Sequence, residues 1–450
     1  MLGPGEAMKA PFIQVPPPGP RAREIVERDS RYLATSTKTL PLVVKKAKGS
    51  VVEDVDGNRY IDFTCGVGVT NLGHVNEDVL EAVEAQLGDM WHFAGTDFYY
   101  QVQVDLAETL ARLAPGDSPK KVFFTNSGTE SIEAAIKLAR WNRQGKHFLA
   151  FLNAFHGRTM GSLALTASKG VQRERFFPMM PGVKHVPYAY CYRCPYHLTY
   201  PECDLWCARI IEESYLKTLV PPKELAALFF EPVQGEGGYI LPPPGWAKEV
   251  ERIARENDIL LIADEVQTGI GRTGAMFAVE HTGTVPDAIA IAKGLGSGFP
   301  IGALILDARL DFGVQGAHSN TFGGNAVACA AALATLGTIE KEGLHKRALV
   351  MGDRMHDRLE EMRQRWPIMG DNRGIGLMRA TELVAHAGTK EPAIKERDAL
   401  LEEAFRRGLV LLPCGESAVR YIPALTIEEE LLDKGLDILE ESIKAVSRSA

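Results

Sequence analysis

Asp264 and Lys293 each close an apolar run, and each is followed by glycine-rich turns, in "LLIADEVQTGIGRTG" (Leu260–Gly274) and "IAIAKGLGSGFPIGA" (Ile289–Ala303). An amine desolvated at a buried strand end has a lowered pKa and can condense with an aldehyde. A carboxylate 29 residues earlier, at another strand end, can bond a protonated ring nitrogen. A third piece lies upstream, where "VFFT" runs into Asn126-Ser127-Gly128-Thr129 and a helical period starts at once. Ser127 and Glu130 fit the S-x-x-E capping box. A helix start with small hydroxyl residues and free first-turn amides is also a phosphate site. Taken singly, these are a surface lysine, a strand-end acid and a capped helix. Together, a phosphate cradle, a Schiff-base lysine and a pyridinium carboxylate are what pyridoxal phosphate requires of a protein.

Those residues need strands to present them. The strand candidates are "KKVFFT", "HFLAFL", "LAALFFEP", "ILLIADE" and "AIAIAK", separated by helical periods such as Ile132, Ala135, Ile136 and Ala139. Near-continuous apolar strands alternating with helices predict a mostly parallel sheet covered on both faces. Ligands bind beyond the carboxyl ends of such strands, and Glu231, Asp264 and Lys293 all fall there. Upstream, residues 11–20 are proline-rich and read as an extended arm, and Val51–Val69 alternates around Asp56-Gly57 as a hairpin. After about residue 340 charged helices dominate, and a smaller α+β domain is expected to pack with the N-terminal segment. The expected division is 1–70, 71–338 and 339–450, with no internal repeat.

Composition narrows the partners. The chain has 450 residues, 45% hydrophobic and 24% charged, with a formal net charge of −8. An acidic balance without a basic stripe argues against nucleic acid. No apolar run reaches the roughly 20 residues that span a bilayer. The N-terminus lacks a basic start followed by an apolar stretch, so a cytoplasmic location is expected. Ten Asn and ten Gln are few, a trait of heat-adapted proteins.

Four of the seven cysteines fall in "CYRCPYHLTYPECDLWC" (Cys191, Cys194, Cys203, Cys207). A CxxC followed by a CxxxC could supply four thiolates to zinc, or form disulfides if the source is a hyperthermophile. The second spacing is looser than usual for zinc, so the default is reduced, part-buried thiols and no metal ligand is assigned. Cys65, Cys329 and Cys414 read as small core residues.

The segments "NSGTESIEAAIKLAR", "FHGRTMGSLALT", "EPVQGEGGY", "LLIADEVQTGIGRTG", "AIAKGLGSGFPIGA" and "SNTFGGNAVACAAALATL" closely resemble the class III (omega) aminotransferases, in the family's order, from about residue 50 to about residue 425. The resemblance implies fold-type I: a large domain with a mostly parallel seven-stranded sheet and a smaller α+β domain built from both chain ends. It implies that Lys293 forms the Schiff base with the cofactor and then shuttles the proton at the substrate carbon, while Asp264 pairs with the pyridine nitrogen. It also implies cofactor contacts from Ser127, Gly128, Thr129, Phe155, His156, Glu231 and Gln267. Phe155 matches the stacking aromatic, which is tyrosine in many relatives. Thr321, in "SNTFGG", matches a residue that reaches the neighbouring subunit's phosphate, which implies at least a homodimer with shared sites.

For substrate, the resemblance implies that Arg420 in "VRYIPAL" clamps the α-carboxylate, although relatives usually read R-x-x-P-P-L and Ala424 replaces the second proline. Glu236 in "QGEGG" matches the glutamate that neutralises this arginine for donors lacking an α-carboxylate, and Glu231 a second carboxylate in the same motif. Arg158 in "HGRT" matches the holder of a distal carboxylate. The leading expectation is therefore ping-pong transfer from a 4-aminobutyrate-like donor to a 2-oxo acid, 2-oxoglutarate. The alternatives are an amino-acid racemase or epimerase of the same fold, an ornithine or diamine aminotransferase, and a non-catalytic scaffold that kept the fold.

Overall fold

The computed structural model describes residues 8–447. The chain forms two compact units, one from the segments up to Glu77 and from Arg347 onward, the other Asp78–Lys346. The first segment carries β1 (Val44–Lys48), β2 (Val51–Asp54) and β3 (Arg59–Asp62). Asp78–Lys346 carries β4 (Lys120–Thr125), β5 (His147–Phe151), β6 (Val183–Val186), β7 (Leu225–Phe230), β8 (Leu260–Asp264), β9 (Ala288–Ile291) and β10 (Gly302–Asp307). The last segment adds β11 (Met369–Ile375), β12 (Met378–Leu383), β13 (Leu409–Val410), β14 (Leu412–Cys414) and β15 (Ala418–Tyr421).

The larger unit is built on a seven-stranded sheet in the order β4-β10-β9-β8-β7-β5-β6. Only β10 runs against its neighbours; the pairings β9–β8, β8–β7, β7–β5 and β5–β6 are parallel. The architecture expected from the alternation of apolar strands and helices is the one found. Every residue of β7 and β8 is buried, which is why these strands read as continuous apolar runs rather than alternating ones. The helix Gly128–Asn142 lays Ile132, Ala135, Ile136 and Ala139 into one cluster with Phe148, Phe229 and Ile262. Burying one such isoleucine stabilises the fold by about 1.5–3 kcal/mol. That packing fixes the helix N-terminus over the sheet edge where β4, β5, β7, β8 and β9 end.

The smaller unit joins both chain ends in one sheet. Its order is β1-β2-β3-β13, with Leu409 of β13 parallel to Ile61 of β3. The expected hairpin is present as β2 and β3, but it stops at Asp62, and Cys65–Gly68 turns as a short helix. Its connection holds Gly57 at φ +88°, a conformation that favours glycine. The arm is anchored: Phe12 bridges Arg59, and the Gln14 and Val15 amides donate to Asn58 Oδ1 at 2.9 and 3.0 Å. A helix then begins at Pro20. A second sheet, β11-β12-β15-β14, is antiparallel throughout. No helix among the described residues is long and apolar enough to cross a membrane.

Candidate active site

The strand ends of the larger unit gather most of the expected residues. Asp264 is the last residue of β8, in register with Ala290 of β9. Lys293 begins a 3-10 turn just past the end of β9 and is half-buried. Adjacent parallel strands therefore deliver the acid and the amine to one edge. Ser131 Oγ donates to the Ile291 carbonyl at 3.2 Å, which ties the first turn of helix Gly128–Asn142 to the end of β9.

Ser127 caps that helix by accepting from the Glu130 amide at 3.4 Å. The capping box is only half formed as predicted, because Glu130 Oε2 takes the backbone and side-chain N–H groups of Asn126, both at 2.8 Å. The early amides of the helix have no intrahelical acceptor and face the same edge. At Gly128 an added Cβ would lie 2.7 Å from Val266 Cγ1, so the turn after β8 packs directly on the helix start. Thr129 Oγ1 lies 2.8 Å from Thr159 Oγ1 and 2.6 Å from Ser162 Oγ. Glu133 Oε1 accepts from the Ser162 amide at 3.0 Å and also takes the Thr159 hydroxyl. Thr159, Ser162 and Glu133 went unnoticed in the sequence, where only the "GRTMGS" hydroxyls hint at them.

The loop after β5 supplies Phe155, His156 and Arg158. Gly157 has φ +135°, and a Cβ there would meet Thr129 Oγ1 at 2.3 Å, so glycine is required for the loop to close on the helix. His156 is buried, and its Nδ1–H donates to Asp264 Oδ2 at 2.8 Å. The other oxygen of Asp264 accepts from the Val266 amide at 3.0 Å. Burial disfavours the imidazolium, but the Asp264 hydrogen bond and the charges of Asp264 and Glu231 outweigh it and hold the His156 pKa above its ordinary value. Phe155 is half-buried; the Arg158 guanidinium is exposed, 5.7 Å from the Phe155 ring centre.

Glu231 follows β7 and uses both oxygens on backbone. Oε2 accepts from the Phe155 amide at 3.1 Å and Oε1 from the Gly235 amide at 3.0 Å. It thereby fastens the Phe155 loop to the "QGEGG" turn. Burial raises its pKa to about 7, with the charge of Asp264 adding and that of His156 opposing. Tyr188, missed in the sequence, donates its hydroxyl to the Glu231 carbonyl at 2.8 Å. Gln267 is half-buried close to the same turn: a Cβ on Gly235 would lie 3.1 Å from Gln267 Nε2. Glu236 lies 3.8 Å from Lys169 Nζ. Thr321 is exposed in the turn before the helix Ala326–Glu342. Arg420 belongs to the smaller unit, buried on β15 in register with Ala380 and Leu412.

Over residues 32–443 the chain matches the family described as aminotransferase class-III. The chain belongs to the class-III aminotransferases. This aminotransferase is 40% identical over 430 residues to a 4-aminobutyrate aminotransferase of Mycobacterium leprae (strain TN), covering 94% of this chain and 95% of that one. It is 37% identical over 445 residues to an alanine/serine racemase of Pyrococcus horikoshii, covering 97% and 93%. It is also similar to the solved omega transaminase from Pseudomonas jessenii in complex with PMP, with a TM-score of 0.89, 29% identity and coverage of 94% and 98%. The aminotransferase is thus an enzyme, and the scaffold reading falls.

Proposed function

We propose that this aminotransferase moves nitrogen from a 4-aminobutyrate-like donor to 2-oxoglutarate by a ping-pong route, and that the buried His156–Asp264 pair at the end of β8 is the feature on which the reading turns. Its cofactor is pyridoxal phosphate, and the residues present fit it. His156 Nε2 and Gln267 Oε1 are buried without a hydrogen-bond partner among the described residues, and buried polar groups left so need one. A helix start with capping Ser127 meets a carboxylate held by two donors at the same edge, matching phosphate at one end and ring nitrogen at the other.

When bound, the cofactor supplies an electron sink for the carbanion at the substrate carbon that carries nitrogen. Asp264 would accept the hydrogen bond of the ring N–H, and His156 orients that carboxylate. Ser127, Gly128 and Thr129 would hold the phosphate, Phe155 would cover the ring face, and Gln267 would serve the phenolic oxygen. Lys293 would hold the aldehyde through Nζ, and the same Nζ would carry the proton to and from the reacting carbon. Glu231 is a positioning residue that holds the Phe155 loop through its amide.

On the substrate side, Arg158 takes the distal carboxylate of 4-aminobutyrate, and Arg420 the α-carboxylate of the 2-oxo acid by a bidentate grip. Glu236 neutralises Arg420 for donors without that carboxylate. Beside Thr321 the exposed Phe322 ring lies 5.2 Å from that of His92, and Asn325 donates to the carbonyl of exposed Trp91 at 2.9 Å, an apolar surface that supports a homodimer with shared sites. Arg158→Ala tests the substrate reading: loss of a charged hydrogen bond, about 1.5–3 kcal/mol, lowers kcat/KM for 4-aminobutyrate by roughly 10–150-fold. Unchanged turnover of 4-aminobutyrate removes Arg158 from this role.

A second reading, an amino-acid racemase, is favoured by the 37% identity to the alanine/serine racemase over 97% of the chain. Loss of optical rotation from a single L-amino acid, without a keto acid, would select it.

A further inference from the structure

Between β6 and β7 the chain makes a long excursion of turns that ends in a run of consecutive helical segments, Trp206–Ile210, Ile211–Tyr215 and Leu216–Thr218, and the four clustered cysteines lie in it. Cys191 opens the 3-10 turn Cys191–Arg193, with Cys194 directly after it. Cys203 precedes the short helix Trp206–Ile210, and Cys207 lies within it. All four are free thiols, Cys191 exposed and the others half-buried. They line a single cavity of about 20 Å³, room for one water-sized occupant.

The rest of the lining is mostly aromatic and proline, including Trp206 and Pro243. Three tyrosines, Tyr190, Tyr196 and Tyr200, belong to it, and the Tyr196 hydroxyl is buried with no hydrogen-bond partner among the described residues. A lone water would need two to four polar partners to stay there, and beyond the weakly bonding thiols this wall offers few. Four thiols and an orphaned hydroxyl around a water-sized space point to an occupant with a strong preference for sulfur.

We propose that Cys191, Cys194, Cys203 and Cys207 form a structural site for a thiophilic dication of the zinc type. The CxxC and CxxxC pairs are separated by eight residues, so one ion cross-links the turns at Cys191–Cys194 to the start of the helical stretch that holds Cys207. Each ligating thiol releases its proton to solvent as its sulfur bonds the ion. As the side chains stand, no group of three or more His, Cys, Asp or Glu among the described residues could hold an ion, so binding requires the four thiols that line the cavity to change rotamer. The staple also supports the active-site edge, because Tyr188, three residues before Cys191, holds the Glu231 carbonyl.

The test is metal content per chain, measured on full-length holoenzyme purified without chelator and again after reduction and dialysis against Zn²⁺. About one ion per chain is expected, absent from a Cys203→Ser/Cys207→Ser variant. Co²⁺ in place of zinc should give a sulfur-to-metal charge-transfer band. Chelator should lower the Tm of the wild type. Substoichiometric metal in the wild type under both conditions overturns the proposal, whether or not the variant folds. So does peptide mapping that finds these cysteines joined as disulfides in freshly purified protein.

Discussion

His156 Nδ1 donates to Asp264 Oδ2 at 2.8 Å across 108 residues of chain, joining the loop after β5 to the end of β8. Both groups are buried, so each is the other's main compensation for lost water. The Val266 amide fills the second oxygen of Asp264, which leaves the carboxylate with a fixed orientation rather than a rotating one.

Replacing His156 by Leu should leave Asp264 buried with one donor fewer. The cost of about 1–3 kcal/mol corresponds to roughly 5–150-fold weaker cofactor binding. Titration of apoenzyme with pyridoxal phosphate measures this directly, and an unchanged affinity would separate the pair from cofactor binding.

Glu265, next in the chain, predicts a pH effect. Burial raises its carboxyl from 4.5 to about 7, although the Thr268 hydroxyl and the Val279 amide both favour the charged form. The folded state thus binds this proton more tightly than the unfolded chain. The associated stability is complete below about pH 4.5 and is lost as pH rises through about 7, by up to about 3 kcal/mol. A Glu265→Gln variant carries no such loss. Denaturant unfolding should find it more stable than wild type near pH 8, with the difference closing toward pH 4.5. A constant difference at all pH values would contradict the shift.

Gly128 and Val266 should be energetically coupled. A Gly128→Ala side chain meets Val266 Cγ1 at 2.7 Å, and overpacking of this kind costs about 1–3 kcal/mol. Adding Val266→Ala should recover much of that loss, because the clash is with that side chain. A double-mutant cycle in urea reads the coupling; additive effects would show that the helix start and the turn after β8 do not bear on each other.

Much of this site was legible in the sequence for one reason: a charge at the end of a continuous apolar run marks a strand end. Asp264 and Lys293 stood out that way, and the small residues 126–129 marked the helix start. Five of the seven strands showed as apolar runs. β6 did not, being the four-residue edge strand "VKHV" with half-buried Lys184 and His185. β10 was hidden differently. "GALILD" is fully buried, but it follows a glycine-rich turn and runs antiparallel, outside the strand–helix alternation. Partnerships were harder to read than residues. Nothing local in the sequence says that Glu231 will hold the amide of Phe155, 76 positions away, or that Glu130 will turn to Asn126 rather than complete its cap. Arg420 drew notice through family resemblance alone, because an arginine in a short strand carries no distinguishing local pattern.

The most direct test of the central claim is the donor half-reaction. Cofactor-loaded enzyme is mixed with 4-aminobutyrate alone, and the absorption of the bound cofactor is followed without any keto acid. Stoichiometric conversion to pyridoxamine phosphate, reversed by 2-oxoglutarate and absent in Lys293→Ala, is the predicted result. A cofactor spectrum that 4-aminobutyrate leaves unchanged would contradict the assignment.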